Sequence, residues 1–409
     1  MSGGTFLGQA LVVLSSPLLT RLYTPEEFGF FAVFSALSAI MAVAIGLRYE
    51  FAIPVARDDA AAAALVAGIA LVSLALSCLM ALVIWLVGRT LAELAGMAGL
   101  APLLWLLPFA LAFWGVGSAL TFWSIRRGYF RSNALNRVIY NAVQAGSQIG
   151  FGVAGLGVFG LALGYSLGYV ARSVHLAAAL PLREARSFLR QPAAGIRAVL
   201  GENWQYPAYS APSAVLHSMC NMLPVVLIAA LYGPAMAGWF GLAQRVVALP
   251  VRLFSETASQ VFLGEIATAD HRQLLRLFKR VAATFLLVGL AGLMPVALAG
   301  PRLFGLVFGA DWTAAGMIVQ LLAPLYLARF VVSPVSQTLN VLKRQDLHLV
   351  SSLINGTTVA VSFSLGWALE LEGYTTILLY SLASSAAFVF YITVTWVMLR
   401  RAVAAAPAA

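Results

Sequence analysis

Apolar residues in this chain come in long unbroken runs. A helix that crosses a hydrocarbon layer needs about 20 mostly apolar residues. Twelve such runs are present, near 4–22, 28–47, 62–87, 101–124, 135–155, 158–181, 208–231, 238–262, 281–299, 315–340, 347–369 and 374–398. They are too long for membrane strands, which cross with roughly 10 residues, and they lack the alternation of a barrel wall. The pattern predicts an all-α integral membrane protein of about twelve transmembrane helices.

The polar connections set the orientation. Arg48 and Arg57 follow run two, and Arg126, Arg127, Arg131 and Arg137 follow run four. Arg172, Arg183, Arg186, Arg190 and Arg197 group around the end of run six and the connection after it. Arg272, Arg276, Lys279 and Arg280 precede run nine, Lys343 and Arg344 follow run ten, and Arg400 and Arg401 close run twelve. These nineteen of the 25 basic residues fall on one side, against Arg21, Arg89 and Arg302 on the other. The basic side of a membrane protein is cytoplasmic. Both termini are then expected in the cytoplasm, which an even number of crossings satisfies, in a bacterial inner (plasma) membrane.

The chain also repeats itself. Leu22-Tyr23-Thr24-Pro25 is followed by Gly29-Phe30-Phe31, and Leu231-Tyr232-Gly233-Pro234 by Gly238-Trp239-Phe240, an offset of 209 residues. Arg126-Arg127 after run four is echoed by Lys343-Arg344 after run ten. Run n thus matches run n + 6, and because six is even the two copies enter from the same side. A parallel repeat of this kind places a site between two lobes. The expected organisation is an N-lobe over 1–182, a basic, partly apolar cytoplasmic interfacial linker over 183–207, and a C-lobe over 208–409.

Composition agrees and removes other classes. Of the 409 residues, 61% are hydrophobic and 10% charged, where a soluble domain carries roughly 25% charged residues. The mean hydropathy is +0.91. The net charge of +10 is scattered between apolar runs, so no continuous stripe for nucleic acid exists. Cys78 and Cys220 sit inside apolar runs and offer neither metal spacing nor a disulfide framework. No Lys precedes Ser or Thr, so there is no phosphate loop, and no cofactor is expected. His175, His217, His271 and His348 are isolated, and Asp58-Asp59 reads as a solvated turn. The start lacks the basic region of a signal peptide and reads as a retained first helix.

Charges inside apolar runs carry more information, because a centred Arg costs about 2.5–3.5 kcal/mol to insert. Run eight holds Arg245, Arg252, Glu256 and Ser259 at spacings of 0, 7, 11 and 14, which fall on one helix face. That face either borders a wet cavity or is consumed by an Arg252–Glu256 pair, with Arg245 on a neighbour's carbonyls. Arg329 in run ten is a similar candidate, and Arg48 either joins it or snorkels to the interface. Run five carries Arg137, Asn141, Gln144 and Gln148, and run eleven Ser351, Asn355, Thr358 and Ser362, each at spacings of 0, 4, 7 and 11. Such stripes suit sugar hydroxyls or serve as interhelical glue. Gly160, Gly164 and Gly168 in run six form a small-residue stripe for close packing.

The segment Ser16-Pro17-Leu18-Leu19-Thr20-Arg21-Leu22-Tyr23-Thr24-Pro25-Glu26-Glu27-Phe28-Gly29, followed by Arg48-Tyr49-Glu50-Phe51-Ala52-Ile53-Pro54, resembles the opening of polysaccharide (O-antigen type) flippases. These belong to the multidrug/oligosaccharidyl-lipid/polysaccharide exporter superfamily. The specific motif covers about the first 60 residues. The resemblance implies two six-helix lobes and an undecaprenyl-diphosphate-linked oligosaccharide as cargo. Lobe rocking would carry it outward, with polysaccharide assembly enzymes as partners. Arg245, Arg252, Arg48 and Arg329 are then expected to attract the diphosphate, with Glu256, Asn141, Gln144 and Gln148 completing the substrate-binding set. A multidrug exporter of the same superfamily is the nearest alternative, but runs one to six hold no acidic residue away from their ends. A membrane polymerase or ligase would need a larger outer loop than 88–100 or 300–314.

Overall fold

The computed structural model describes residues 8, 10–248, 271–336, 338 and 345–405. Among them every regular element is helical. The chain divides into two compact units, Met1–Gly238 and Trp239–Ala409.

In the first unit, α1 (Ala10–Leu22) leads into α2 (Pro25–Ala44). The break between them is written in the sequence. Thr24 accepts from the Glu27 amide while the Glu27 carboxylate accepts from the Thr24 amide, and Pro25 takes the first helical position. Asp58 caps α3 (Asp59–Val83), which runs on through a widened turn at Ile84–Gly88 to Leu94. Asp59 pairs with Arg126 at 3.1 Å and Arg127 at 2.8 Å. The Asp58-Asp59 dipeptide is therefore a cap and an ion-pair partner, more than the solvated turn expected.

Helices α4 (Leu106–Arg126), α5 (Phe130–Val153) and α6 (Gly157–Ala178) follow. Helices α5 and α6 pack closely because glycines face the seam. A Cβ on Gly164 would lie 2.7 Å from Gln148 Cγ, and one on Gly168 would lie 3.0 Å from the Tyr140 ring. Two short helices, α7 (Leu182–Leu189) and α8 (Ala193–Glu202), precede α9 (Ala211–Tyr232). Ile196 and Leu200 of α8 reach Gly68 of α3, and Val199 joins a core with Ile53, Leu65, Ile69 and Trp123.

Helix α10 occupies 234–248. The second unit contains α11 (His271–Phe308), α12 (Thr313–Val335), α13 (Gln345–Ala368) and α14 (Gly373–Ala405). Helix α11 starts ten residues ahead of the predicted run 281–299. Arg272, Arg276, Lys279 and Arg280 were expected in a connection and instead lie on its opening turns. Leu274 and Phe278 there pack with Val335 and Leu399, so one apolar stripe carries the helix beyond the apolar run.

Every predicted run contains a described helix, run eight through residue 248 only. Seven helices among the described residues are long and apolar enough to cross a membrane. Helix α5 falls short of that apolarity because of its Asn, Gln and Arg residues; it buries Gln144 and Gln148 against α6, while Arg131 and Arg137 stay exposed. Large apolar side chains such as Trp85, Leu287, Leu298 and Phe390 stand exposed, as an environment of lipid allows and water does not.

Candidate functional site

Arg172 is the centre of a polar cluster inside the first unit. It sits on α6 among Gly, Ala, Leu and Tyr residues, half-buried. Its Nη2 donates to Thr121 Oγ1 on α4 at 3.0 Å, and its guanidinium lies 4.4 Å from the centre of the Trp114 ring. The sequence makes room for it: Gly117, one turn from Thr121, would place a Cβ only 2.7 Å from Ser173 Oγ and 3.4 Å from Arg172 Nε. Trp114 is held in turn by a 2.9 Å bond from its indole N–H to the Ala42 carbonyl of α2.

Aromatic rings extend the cluster. Tyr169 packs at 4.9 Å from Trp114 and stacks on Tyr140 at 5.5 Å with nearly parallel planes. Tyr165 accepts from the Tyr169 hydroxyl and meets Phe31 and Phe34 edge-on. A cation over an indole face gains electrostatic attraction. A guanidinium also recognises phosphate oxygens through a planar fork of donors.

Arg48 approaches this cluster from the turn between α2 and α3. Its backbone is left-handed, with φ of 63°, which turns the chain into the short helix Tyr49–Ala52. Its guanidinium lies 4.3 Å from the Phe51 ring centre and 3.9 Å from the Glu50 carboxylate. Glu50 is buried and feels both Arg48 and Arg172. Burial pushes its carboxyl up, against a backbone hydrogen bond and the two positive charges, which act the other way.

The other predicted residues divide by place. Asn141 is half-buried and donates to the Arg137 carbonyl of its own helix at 2.7 Å. Gln144 and Gln148 are buried in the α5–α6 seam, where Gln148 donates to the Leu161 carbonyl at 3.0 Å. Neither glutamine reaches an accessible surface, so the seam uses them as interhelical contacts. Arg245 is half-buried on α10, and Arg329 is exposed on α12 within electrostatic reach of Tyr326 and Tyr380. Arg252, Glu256 and Ser259 lie outside the described residues. Among the described residues no group of His, Cys, Asp and Glu is arranged to hold a metal ion.

Arg172 was the residue that sequence reasoning passed over. It counts with the basic residues of the cytoplasmic side, yet its position lies within the apolar run 158–181, and that was the available signal.

A helical chain with many apolar crossings describes a multi-pass membrane protein, and the likeness to solved structures is of that kind. The fold matches a multidrug resistance MATE family transporter of the MOP superfamily in its inward-facing conformation. That match has a TM-score of 0.73 and 15% identity, covering 97% of this chain and 96% of the other. It equally matches the lipid II flippase MurJ in an inward closed conformation, with a TM-score of 0.75 at 12% identity over 97% and 86% of the two chains. A MOP superfamily transporter from Pyrococcus furiosus matches at 0.56 with 14% identity, over 99% and 95%. These likenesses establish a shared two-lobed helical fold. No curated protein sequence matches the chain. The chain belongs to the polysaccharide biosynthesis protein family, whose model matches residues 18–317.

Proposed function

We propose that this protein is a flippase that moves an undecaprenyl-diphosphate-linked oligosaccharide from the cytoplasmic to the outer leaflet. The cargo would serve O-antigen, lipopolysaccharide or exopolysaccharide synthesis, in concert with polysaccharide assembly enzymes. The reading places the protein in a bacterial inner membrane with both termini cytoplasmic, and it assigns no catalytic residue. The observation that carries it is Arg172. A half-buried guanidinium over the Trp114 ring, inside an apolar helix of a polysaccharide biosynthesis family, fits an anionic headgroup carrying sugars. Arg48 supplies a second positive charge nearby, and Arg245, Arg252 and Arg329 supply further ones in the second half of the chain. Alternating access of the two repeat-related lobes, 1–182 and 208–409, would expose the headgroup to each side in turn, with 183–207 as the cytoplasmic tether. An inside-negative potential favours outward movement of an anion by about 2.3 kcal/mol per charge per 100 mV.

Export of cationic drugs is the reading that the multidrug relatives raise, but a positively charged cluster repels such cargo. The test is complementation of a strain lacking its O-antigen flippase, scored by surface polysaccharide. The parent protein restores it. Arg172→Gln and Arg245→Gln, at parental protein levels, do not. Full rescue by both variants refutes the anion site.

A further inference from the structure

The two copies of the Leu-Tyr-x-Pro repeat meet each other. Gly29 lies four residues after Pro25, and Gly238 four residues after Pro234. A Cβ on Gly29 would fall on the Pro234 carbonyl. A Cβ on Gly238 would fall on the Pro25 carbonyl and lie 3.0 Å from the Gly29 nitrogen. The contact is therefore reciprocal: each glycine receives the other copy's proline carbonyl, under the same 209-residue offset as the sequence repeat. Both glycines are buried.

The atoms in contact are backbone atoms in the opening turns of α2 and α10, where the proline ring fixes φ. No flexible side chain stands between them to give way. A methyl group at either glycine demands that the two helix starts move apart by roughly 1.5 Å to restore an ordinary carbon–oxygen approach. Each helix start is tied elsewhere. Tyr23 donates to the Gln148 carbonyl at 2.6 Å in the first half, and the Trp239 indole donates to the Asp311 carbonyl at 2.9 Å in the second. The contact sits on the side poor in basic residues.

We propose that this reciprocal glycine–proline contact is the outer lock of the transport cycle, closed in this conformation and parted each time cargo leaves. The assignment rests on the transport reading above and adds the residues that close the outer end. Gly29 and Gly238 are positioning residues; neither touches cargo.

Hydrogen exchange by mass spectrometry on the full chain in lipid nanodiscs tests it, read at residues 22–31 and 231–240. In the parent, the two segments open at one common rate, faster than the amides of α6, because parting the contact frees both. Gly29→Ala or Gly238→Ala raises exchange several-fold in both segments, including the one that was not altered. Both variants lower surface polysaccharide in the complementation strain at normal protein levels. The sign is diagnostic, since alanine in place of glycine otherwise favours a helix and slows exchange. Gly146→Ala, where a Cβ meets nothing within 4 Å, leaves both segments unchanged. Uncorrelated opening in the parent overturns the lock. So does an effect confined to the altered segment, or one spread evenly along the chain. If the exchange pattern holds while the parent fails to complement, the lock stands and the lipid-linked sugar is the wrong cargo.

Discussion

Removing the Glu184 carboxylate should release α7 from the inner end of α4. Glu184 is buried and accepts four hydrogen bonds: from the Trp123 indole at 2.8 Å, Arg127 Nε at 3.1 Å, Arg127 Nη2 at 2.9 Å and the Tyr129 hydroxyl at 2.9 Å. In Glu184→Ala the buried indole N–H loses its acceptor, which costs about 1–3 kcal/mol. The Arg127 side chain is 35% exposed and keeps Asp59, so its lost pairing is worth only about 0.2–1 kcal/mol. The total, about 1–4 kcal/mol, corresponds to amide exchange in residues 182–189 faster by about five-fold to nearly a thousand-fold. Glu184→Gln keeps an acceptor for the indole and falls at the low end. Burial works to raise the Glu184 carboxyl, but the hydrogen bonds from Trp123, Tyr129 and Arg127, with the Arg127 charge, outweigh it and hold it below the ordinary carboxylate range. A depressed carboxyl stabilises fully above its unfolded value, near about 4.3, and loses that contribution as pH falls through the folded value. Protection of 182–189 is therefore flat from neutral pH down to about 5 and declines only in stronger acid. Exchange in Glu184→Ala no faster than in the parent refutes the argument.

Two further outcomes follow from the packing. Gly164→Val drives a branched side chain against the Gln148 backbone nitrogen, 2.8 Å from the glycine's would-be Cβ, and should cost about 1–3 kcal/mol, measured as a lower unfolding temperature in detergent. Glu50→Gln should raise that temperature at pH 7. A carboxyl pushed up by burial opposes folding once ionised, so the gain shrinks as pH falls toward the ordinary carboxylate range; a gain that grows in acid contradicts the sign.

The helical fold was legible because backbone groups in lipid must be satisfied within their own segment. Long apolar runs then have one solution, and basic residues mark where they end. The capped turn at Thr24–Glu27, the Gly164 seam and the offset repeat could likewise be read from residue types at fixed spacing. Helix ends were less legible, since the opening turns of α11 are charged on one face and apolar on the other, and hydropathy averages the two.

The site divided differently. A sequence shows that an arginine lies in an apolar run, and so singles out Arg245 and Arg329; it does not show what stands across from it. Gln148 and Asn141 share a helical stripe, yet Gln148 is sealed in the α5–α6 seam while Asn141 stays half-accessible. Arg172 gained its surroundings from Thr121 and Trp114 on α4, about 50 residues away in the chain. The repeat was visible along the chain, but that its two copies press glycine against proline was not. Periodicity records the environment of a helix face on average, and only tertiary packing decides which face meets which.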